Sequence, residues 1–215
     1  MLPRLLALPL ALLCVAGAHA AGSAAIDGKK HYQAQCAACH GANGAGNEAL
    51  QAPPLAGLDT AYVSRQLTQF RQGLRGAGEA GGPAATMRAI AQTLQGEQDI
   101  AALASHVATL RPAPPTKRGP AALAQTGKAY FAICVGCHGG SGEGNASLSA
   151  PALKQLPPWY IAAQLKAFRA GARGAGPEDT LGSQMRSVAA DTFPDDDAVA
   201  AVAAYIGTIG GGKAP

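Results

Sequence analysis

Two short motifs in this sequence each place a pair of cysteines, separated by two residues, directly before a histidine. The two thiols of such a motif can add to the two vinyl groups of a haem, and the histidine then binds the iron as its proximal ligand. The sequence therefore predicts two covalently attached haem c groups. The residues concerned are Cys36, Cys39 and His40 in the first motif and Cys134, Cys137 and His138 in the second.

Two methionines are candidates for the sixth ligand of each iron. Apart from the initiator, Met87 and Met185 are the only methionines, and each lies 47 residues after the histidine of its own motif. A thioether is a soft ligand, and histidine–methionine ligation raises the reduction potential of a haem. A lone methionine is more often core filler, but the identical spacing favours ligation. We therefore predict Met87 and Met185 as the distal ligands.

Pro53 and Pro151 each lie 13 residues after a haem histidine. Their carbonyl oxygens are predicted to accept the second ring N–H of His40 and His138. Such a bond fixes the tautomer and makes the imidazole a stronger donor to iron. The alternative is an ordinary loop proline in each half.

Other uses of these residue types are less consistent with the spacing. A four-cysteine zinc site usually places its pairs about 15–20 residues apart, whereas a whole domain separates the two pairs here. A thioredoxin-like redox motif needs a strand–helix context that is absent. His31 and His106 are not predicted to bind iron, because their repeat partners, Ala129 and Tyr205, are not histidines.

The first 20 residues are predicted to be a secretory signal peptide. Arg4 precedes an apolar run at residues 5–16, and a small-x-small cleavage site ends at Ala20. Cys14 is removed with this segment, so every remaining cysteine belongs to a haem motif. We therefore predict a periplasmic protein with no transmembrane segment in the mature chain, while peripheral association with a membrane stays open.

Composition limits the classes of partner and the means of stabilisation. Loss of Arg4 lowers the formal net charge from +4 to +3, which argues against nucleic acid as a partner. Aromatic residues make up only 5% of the chain, which is little for two small domains. A covalently held porphyrin is expected to fill much of each interior.

The two halves of the chain are a tandem repeat. Shifting the sequence by 98 residues aligns them without a gap from the haem motifs to the methionines, and one extra residue then makes the offset 99. We predict domains at residues 21–111 and 121–215, joined by a proline-rich linker at residues 112–120.

Apolar periodicity within each half predicts an all-α fold without strands. Glycine-rich segments after the histidines are predicted to be loops around the haems. The expected helices are 29–35 and 123–133 before the motifs, a central helix capped by Asp59 or following Pro157 and Pro158, and last helices at 97–110 and 196–209.

Several side chains of the central helices repeat between the halves. Arg71, Arg75, Arg169 and Arg173 could pair with haem propionates or lie in water, and both options are open. Tyr62 and Tyr160 are predicted to be core aromatics rather than electron relays. Trp159 has no counterpart in the first half and predicts a difference between the two haem pockets.

Together these motifs resemble the cytochrome c4 family, which are periplasmic di-haem proteins built of two class I cytochrome c domains. The resemblance covers nearly all of the mature chain, including P-P-L-A-G from Pro53 and Q-L-x-x-F-R-x-G in both halves. It implies a tandem duplication of two class I cytochrome c domains, thioether links at the four motif cysteines, and histidine–methionine ligation of each iron. One departure is a Gly- and Ala-rich approach to Met87, residues 76–86, which predicts a less rigid ligand loop.

Six-coordinate irons predict an electron carrier rather than an enzyme, because neither iron offers a position to a substrate. The resemblance implies a quinol-oxidising complex as donor and a terminal oxidase as acceptor. One alternative is the di-haem cytochrome subunit of a dehydrogenase, such as a flavocytochrome. Another is a di-haem peroxidase or a thiosulfate-oxidising enzyme, which would need an open iron position or a different distal ligand.

Overall fold

The computed structural model of the protein describes residues 26–78, 82–112 and 119–209. Within these ranges, regular structure is helical apart from two isolated β-bridges, which join Asn47 to Ala52 and Asn145 to Ala150. This confirms the predicted all-α fold. The predicted signal peptide and residues 113–118 of the predicted linker lie outside the described ranges.

The described helices follow the same order in both halves. In the first half, α1 (Gly28–His31) runs through a π-helical turn (Tyr32–Cys36) into α2 (Ala37–His40), followed by α3 (Thr60–Gln72), α4 (Pro83–Ala91) and α5 (Glu97–Thr109). In the second half they are α6 (Ala121–His138), a 3-10 turn (Ala146–Leu148), α7 (Pro158–Arg169), α8 (Thr180–Thr192) and α9 (Asp196–Ile209).

Two of these helices are absent from the sequence-based set. Helices α4 and α8 carry Met87 and Met185, and each has a short apolar stripe among alanine and polar residues that the sequence reasoning did not recognise. The helices before the motifs also extend further than predicted, since they end at the haem histidines.

Local signals explain where the central helices begin. The Asp59 carboxylate accepts a hydrogen bond from the Tyr62 amide, 2.7 Å away, as predicted for the cap of α3. Pro158 occupies the first turn of α7, where its missing N–H breaks no helical hydrogen bond. Both central helices then pack against the last helix of their own half.

In each half, the helix before the haem motif crosses the last helix at close range. A Cβ on Gly28 would lie 2.1 Å from the Ala102 carbonyl oxygen, and a Cβ on Gly127 would lie 1.9 Å from that of Ala201. Only glycine allows the two backbones to approach so closely. The helices so joined carry the haem motifs, which ties each motif to the core.

A contact between two rings, one of them buried, follows each of these glycines. Tyr32 packs against His106, with 5.1 Å between the ring centroids, and Phe131 packs against Tyr205 at 5.3 Å. These glycines and aromatic residues match between the halves at an offset of 99 residues, whereas the haem motifs match at an offset of 98. The first half therefore has one additional residue before its motif, and the π-helical turn accommodates it. His31 consequently matches Tyr130 rather than Ala129, and its partner is still not a histidine.

Two candidate haem sites

The loop after each haem histidine folds back so that a proline carbonyl reaches the imidazole. The Gly46 amide donates to the His40 carbonyl at 2.8 Å, and the bridge that follows leads directly to Pro53. Pro53 O then lies 2.8 Å from Nδ1 of His40. A Cβ on Gly46, at φ +79°, would lie 2.5 Å from the Pro54 nitrogen, so the loop needs glycine there.

The second half repeats this arrangement. The Gly144 amide donates to the His138 carbonyl at 2.8 Å, and Pro151 O lies 2.9 Å from Nδ1 of His138. Because a carbonyl can only accept, each Nδ1 carries the proton and each Nε2 keeps its lone pair in the neutral ring. Burial lowers the pKa of both histidines, and the proline hydrogen bonds oppose this only in part.

In the first half, the unprotonated ring nitrogen of His40 faces the sulfur of Met87, the predicted distal ligand. Nε2 of His40 lies 3.5 Å from Sδ of Met87, and both side chains line an apolar cavity of about 680 Å³. Cys36 and Cys39 line the same cavity. The structure thus brings all four predicted residues together at one cavity.

The second half has a smaller cavity of about 180 Å³. Its lining includes the corresponding donor set of Cys134, Cys137, His138 and Met185, together with Pro151. The second cavity corresponds to the first because it has the same set of ligand side chains, although its volume is smaller. His31 and His106 line neither cavity.

The two cysteine pairs lie in separate environments. Each pair lines its own cavity, and burial raises the pKa of Cys36 and of Cys134 to about 11. Zinc binds thiolates that share one site. Among the residues that the structure describes, no group of three or more His, Cys, Asp or Glu side chains could hold a metal ion. The four-cysteine zinc alternative therefore does not fit.

A polar layer, here called the partition, separates the two cavities at the contact between the domains. Arg75 donates to Gln66 at 2.6 Å and, across the interface, to Gln164 at 2.7 Å. Arg173 mirrors it by donating to Gln164 at 2.7 Å and to Gln66 at 2.8 Å. The partition consists of Tyr62, Gln66, Arg75, Tyr160, Gln164 and Arg173.

The partition decides one question that the sequence left open and adds a role to two predicted core residues. Arg75 and Arg173 are each only 8% exposed, so the option that they lie in water is wrong. Tyr62 and Tyr160 pack against the hydrophobic core, as predicted, and their hydroxyls are also hydrogen-bonded to the opposite arginine at 3.4 and 3.2 Å. Burial acts to raise the pKa of Tyr62, but the charges of Arg173 and Arg75 outweigh it and lower that pKa.

Arg173 provides a test of whether these cavities suit a haem. Its hydrogen bonds all go to neutral oxygens, those of Tyr62, Gln66 and Gln164, and it lines both cavities. Burial, followed by the charge of Arg75, lowers its pKa. A buried cation is costly without a counter-charge, and a haem carries two carboxylates. The donor sets and this arginine together fit the predicted group.

The remaining repeated arginines lie away from the cavities. Arg71 donates to the carbonyls of Leu94 and Gln95, and Arg169 pairs with Asp196. Of the two options left open for these arginines, the structure gives Arg71 and Arg169 neither a place at a cavity nor a purely solvated one, because they join the central helix to the start of the last helix. Trp159 lines the first cavity and not the second, which gives the expected difference between the pockets.

Four polar residues at the interface were missed by sequence reasoning. Gln66 and Gln164 repeat at the offset of 98, and this repetition is the signal that could have found them. Gln69 and Asp179 form a hydrogen bond between the domains, yet their repeat partners are Ala167 and Gly81. Nothing in the sequence pattern distinguishes that pair.

Comparisons with known proteins agree with this architecture. The family model for cytochrome c matches residues 25–111 and again residues 124–210. Cytochrome c4 of Azotobacter vinelandii is 34% identical over 88% of this chain and 90% of its own. The "thiosulfate dehydrogenase electron acceptor" of Stutzerimonas stutzeri is 36% identical over 81% of this chain and 79% of its own. The crystal structure of reduced cytochrome c4 from Pseudomonas stutzeri matches with a TM-score of 0.69 and 27% identity, covering 85% of this chain and 98% of that one.

Proposed function

The chain belongs to the cytochrome c family, as a di-haem cytochrome c4, and on this premise we propose which residues and partners serve its electron transfer. Cys36 and Cys39 attach the first haem, with His40 and Met87 as its iron ligands. The second is attached and ligated by the corresponding set. That set consists of Cys134, Cys137, His138 and Met185.

When bound, each haem supplies a one-electron redox couple. The observation that carries the proposal is the pairing of a histidine and a methionine at each cavity. Two protein ligands leave no iron position for a substrate, which supports a carrier over a peroxidase. The carbonyls of Pro53 and Pro151 orient the imidazoles, and the apolar walls exclude water from the sulfur.

Arg75 and Arg173 are proposed to hold haem carboxylates at the partition. Both guanidiniums are buried between the cavities, and the hydrogen bonds of Arg173 go to neutral oxygens. Charge-assisted pairing with a carboxylate would balance the charge of Arg173. Arg173→Leu is therefore expected to lower the yield of folded protein with two haems more than Arg169→Leu does.

The proposed location is the periplasm, and the proposed route runs from a quinol-oxidising complex to a terminal oxidase. Support for export comes from the signal-peptide pattern of residues 1–20. None of the helices in the described part of the chain is long and apolar enough to cross a membrane.

Stopped-flow mixing tests the proposed partners. Reduced protein should be oxidised rapidly by membranes containing the terminal oxidase, and oxidised protein should be reduced by the quinol-oxidising complex with quinol. Boiled membranes serve as the control. Transfer no faster than with boiled membranes in either direction would refute the proposed route.

A second candidate function is to accept electrons from a thiosulfate dehydrogenase. The Stutzerimonas stutzeri relative is named for that role, and this candidate corresponds to the dehydrogenase alternative from the sequence. Thiosulfate with a purified thiosulfate dehydrogenase should then reduce both haems, whereas thiosulfate alone should reduce neither. Reduction by thiosulfate alone would instead favour an enzyme.

A further inference from the structure

Helix α8, which carries Met185, is fixed at its first turn by a buried carboxylate. Asp179 is 3% exposed, and its side chain accepts a hydrogen bond from the Gly182 amide at 2.9 Å. A Cβ on Gly182 would lie 2.0 Å from that carboxylate, so the turn closes tightly around it. Asp179 therefore fixes the start of the helix six residues before the sulfur ligand.

The same carboxylate is held from the other domain. Gln69, on α3 of the first domain, donates its amide to Asp179 at 2.7 Å and is itself buried. The Gln69 oxygen accepts from Gln66 at 2.8 Å, and Gln66 belongs to the partition. With its oxygen engaged there, the Gln69 amide nitrogen is directed at Asp179.

Among the described residues of the first domain, no side-chain hydrogen bond matches this support at the start of the helix that carries Met87. Helix α4, which carries Met87, begins at Pro83, and its N-cap residue is Gly82, which has no side chain to cap it. Gln69 is replaced by Ala167 at the corresponding place in the second domain, and Asp179 corresponds to Gly81. Within the described ranges, this support therefore runs from the first domain to the second.

We infer that Gln69 is a positioning residue for the distal ligand of the other domain, because its hydrogen bond to Asp179 holds α8 and thereby Met185. This inference rests on the proposed ligation of the second iron by Met185. The bond lies in a buried setting and involves a carboxylate, which makes it one of the stronger kinds. Loosening of α8 would let the sulfur leave the iron more often, while Met87 would be unaffected.

The test is cyanide binding to the oxidised full-length di-haem protein, because cyanide binds when the methionine has left the iron. Met87→Ala and Met185→Ala first assign the two kinetic phases to their domains. Gln69→Leu keeps much of the side-chain volume without the donor, and Gln69→Ala copies the residue of the second domain. Gln72→Leu, at an exposed position of the same helix, is the control.

Both Gln69 variants should accelerate the Met185 phase about tenfold, a factor that corresponds to about 1.4 kcal/mol. The Met87 phase and both phases of Gln72→Leu should match the unmodified protein. The inference is overturned by an unchanged Met185 phase, by equal acceleration of both phases, or by the same effect in the control. If Met185→Ala changed neither kinetic phase, the assignment of Met185 as an iron ligand would itself fail. That result is distinct from a failure of the role inferred for Gln69.

Discussion

The helix crossing at Gly127 gives a prediction whose size can be worked out from the structure. A Cβ at this position would lie 1.9 Å from the Ala201 carbonyl oxygen, whereas ordinary contact begins at 3.4 Å. Gly127→Ala therefore forces α6 and α9 apart by about 1.5 Å, unless the backbone distorts. Because α6 ends in the second haem motif, the damage should be confined to the second domain.

The expected loss is the difference between two opposing effects. Overpacking of a close-packed core costs about 1–3 kcal/mol, and a backbone carbonyl cannot move aside as a side chain can. Replacing a helical glycine by alanine stabilises the helix by about 1 kcal/mol. Because the clash is with a backbone carbonyl, we take the upper end of about 3 kcal/mol, and subtracting about 1 kcal/mol leaves an expected net fall of about 2 kcal/mol in the free energy of unfolding of the second domain.

Urea unfolding of the di-haem protein, followed by circular dichroism and haem absorption, measures this change. Gly136→Ala is the matched control, because it lies on the same helix with nothing within 4 Å of its added Cβ, and the first half already has Ala38 there. The control should be as stable as the unmodified protein or slightly more stable. A midpoint for Gly127→Ala at or above that of the control would refute the packing argument.

Three further outcomes are expected. Cys134→Ser combined with Cys137→Ser should leave one haem mass on the denatured protein, and retention of two would contradict the attachment. Because Trp159 lines only the first cavity, the two haems should titrate at separate reduction potentials, and a gap of about 60 mV would place a shared electron about tenfold more often on one haem. A single potential for both haems would argue against a difference between the pockets. Hydrogen bonds from Lys166 and Arg169 lower the pKa of Asp196 below 3.8, so Asp196→Asn should destabilise at neutral pH. That difference should vanish as the pH falls through the lowered pKa, and a deficit that persisted in acid would exclude this cause.

Residues within a haem motif could be proposed from the sequence because their chemistry is local. Cys36, Cys39 and His40 are almost adjacent, and the motif repeats in the second half. Met87 is distant from them, but its equal spacing to that of Met185 made it recognisable. The duplication thus supplied an internal comparison for a long-range pairing.

The partition could not be predicted, because its hydrogen bonds join residues far apart in the sequence. Arg75 reaches Tyr160 across 85 residues, and Arg173 reaches Tyr62 across 111. Each arginine follows a helix whose pattern allows either a solvent-exposed or a buried side chain. Only the packing of one domain on the other decides between them.

Helix α8 shows a second reason why the sequence was insufficient. Its apolar stripe is limited to Leu181, Met185, Val188 and Ala189, and the helix that carries Met185 was not recognised from so short a pattern. Its cap, Asp179, takes its second hydrogen bond from Gln69 in the other domain. Neither Gln69 nor Asp179 has the same residue at the corresponding place in the other half. The comparison between halves, which identified the methionines, therefore gave no information about this hydrogen bond.

Carbon monoxide binding to the reduced protein tests the central claim most directly. If His40 and Met87, and likewise His138 and Met185, occupy both axial positions, the unmodified protein should bind carbon monoxide poorly at neutral pH. Met87→Ala or Met185→Ala should each open one haem, and visible spectra should then show one equivalent bound. Rapid binding of one or two equivalents to the unmodified protein would contradict the ligand assignment and favour a di-haem enzyme over a carrier.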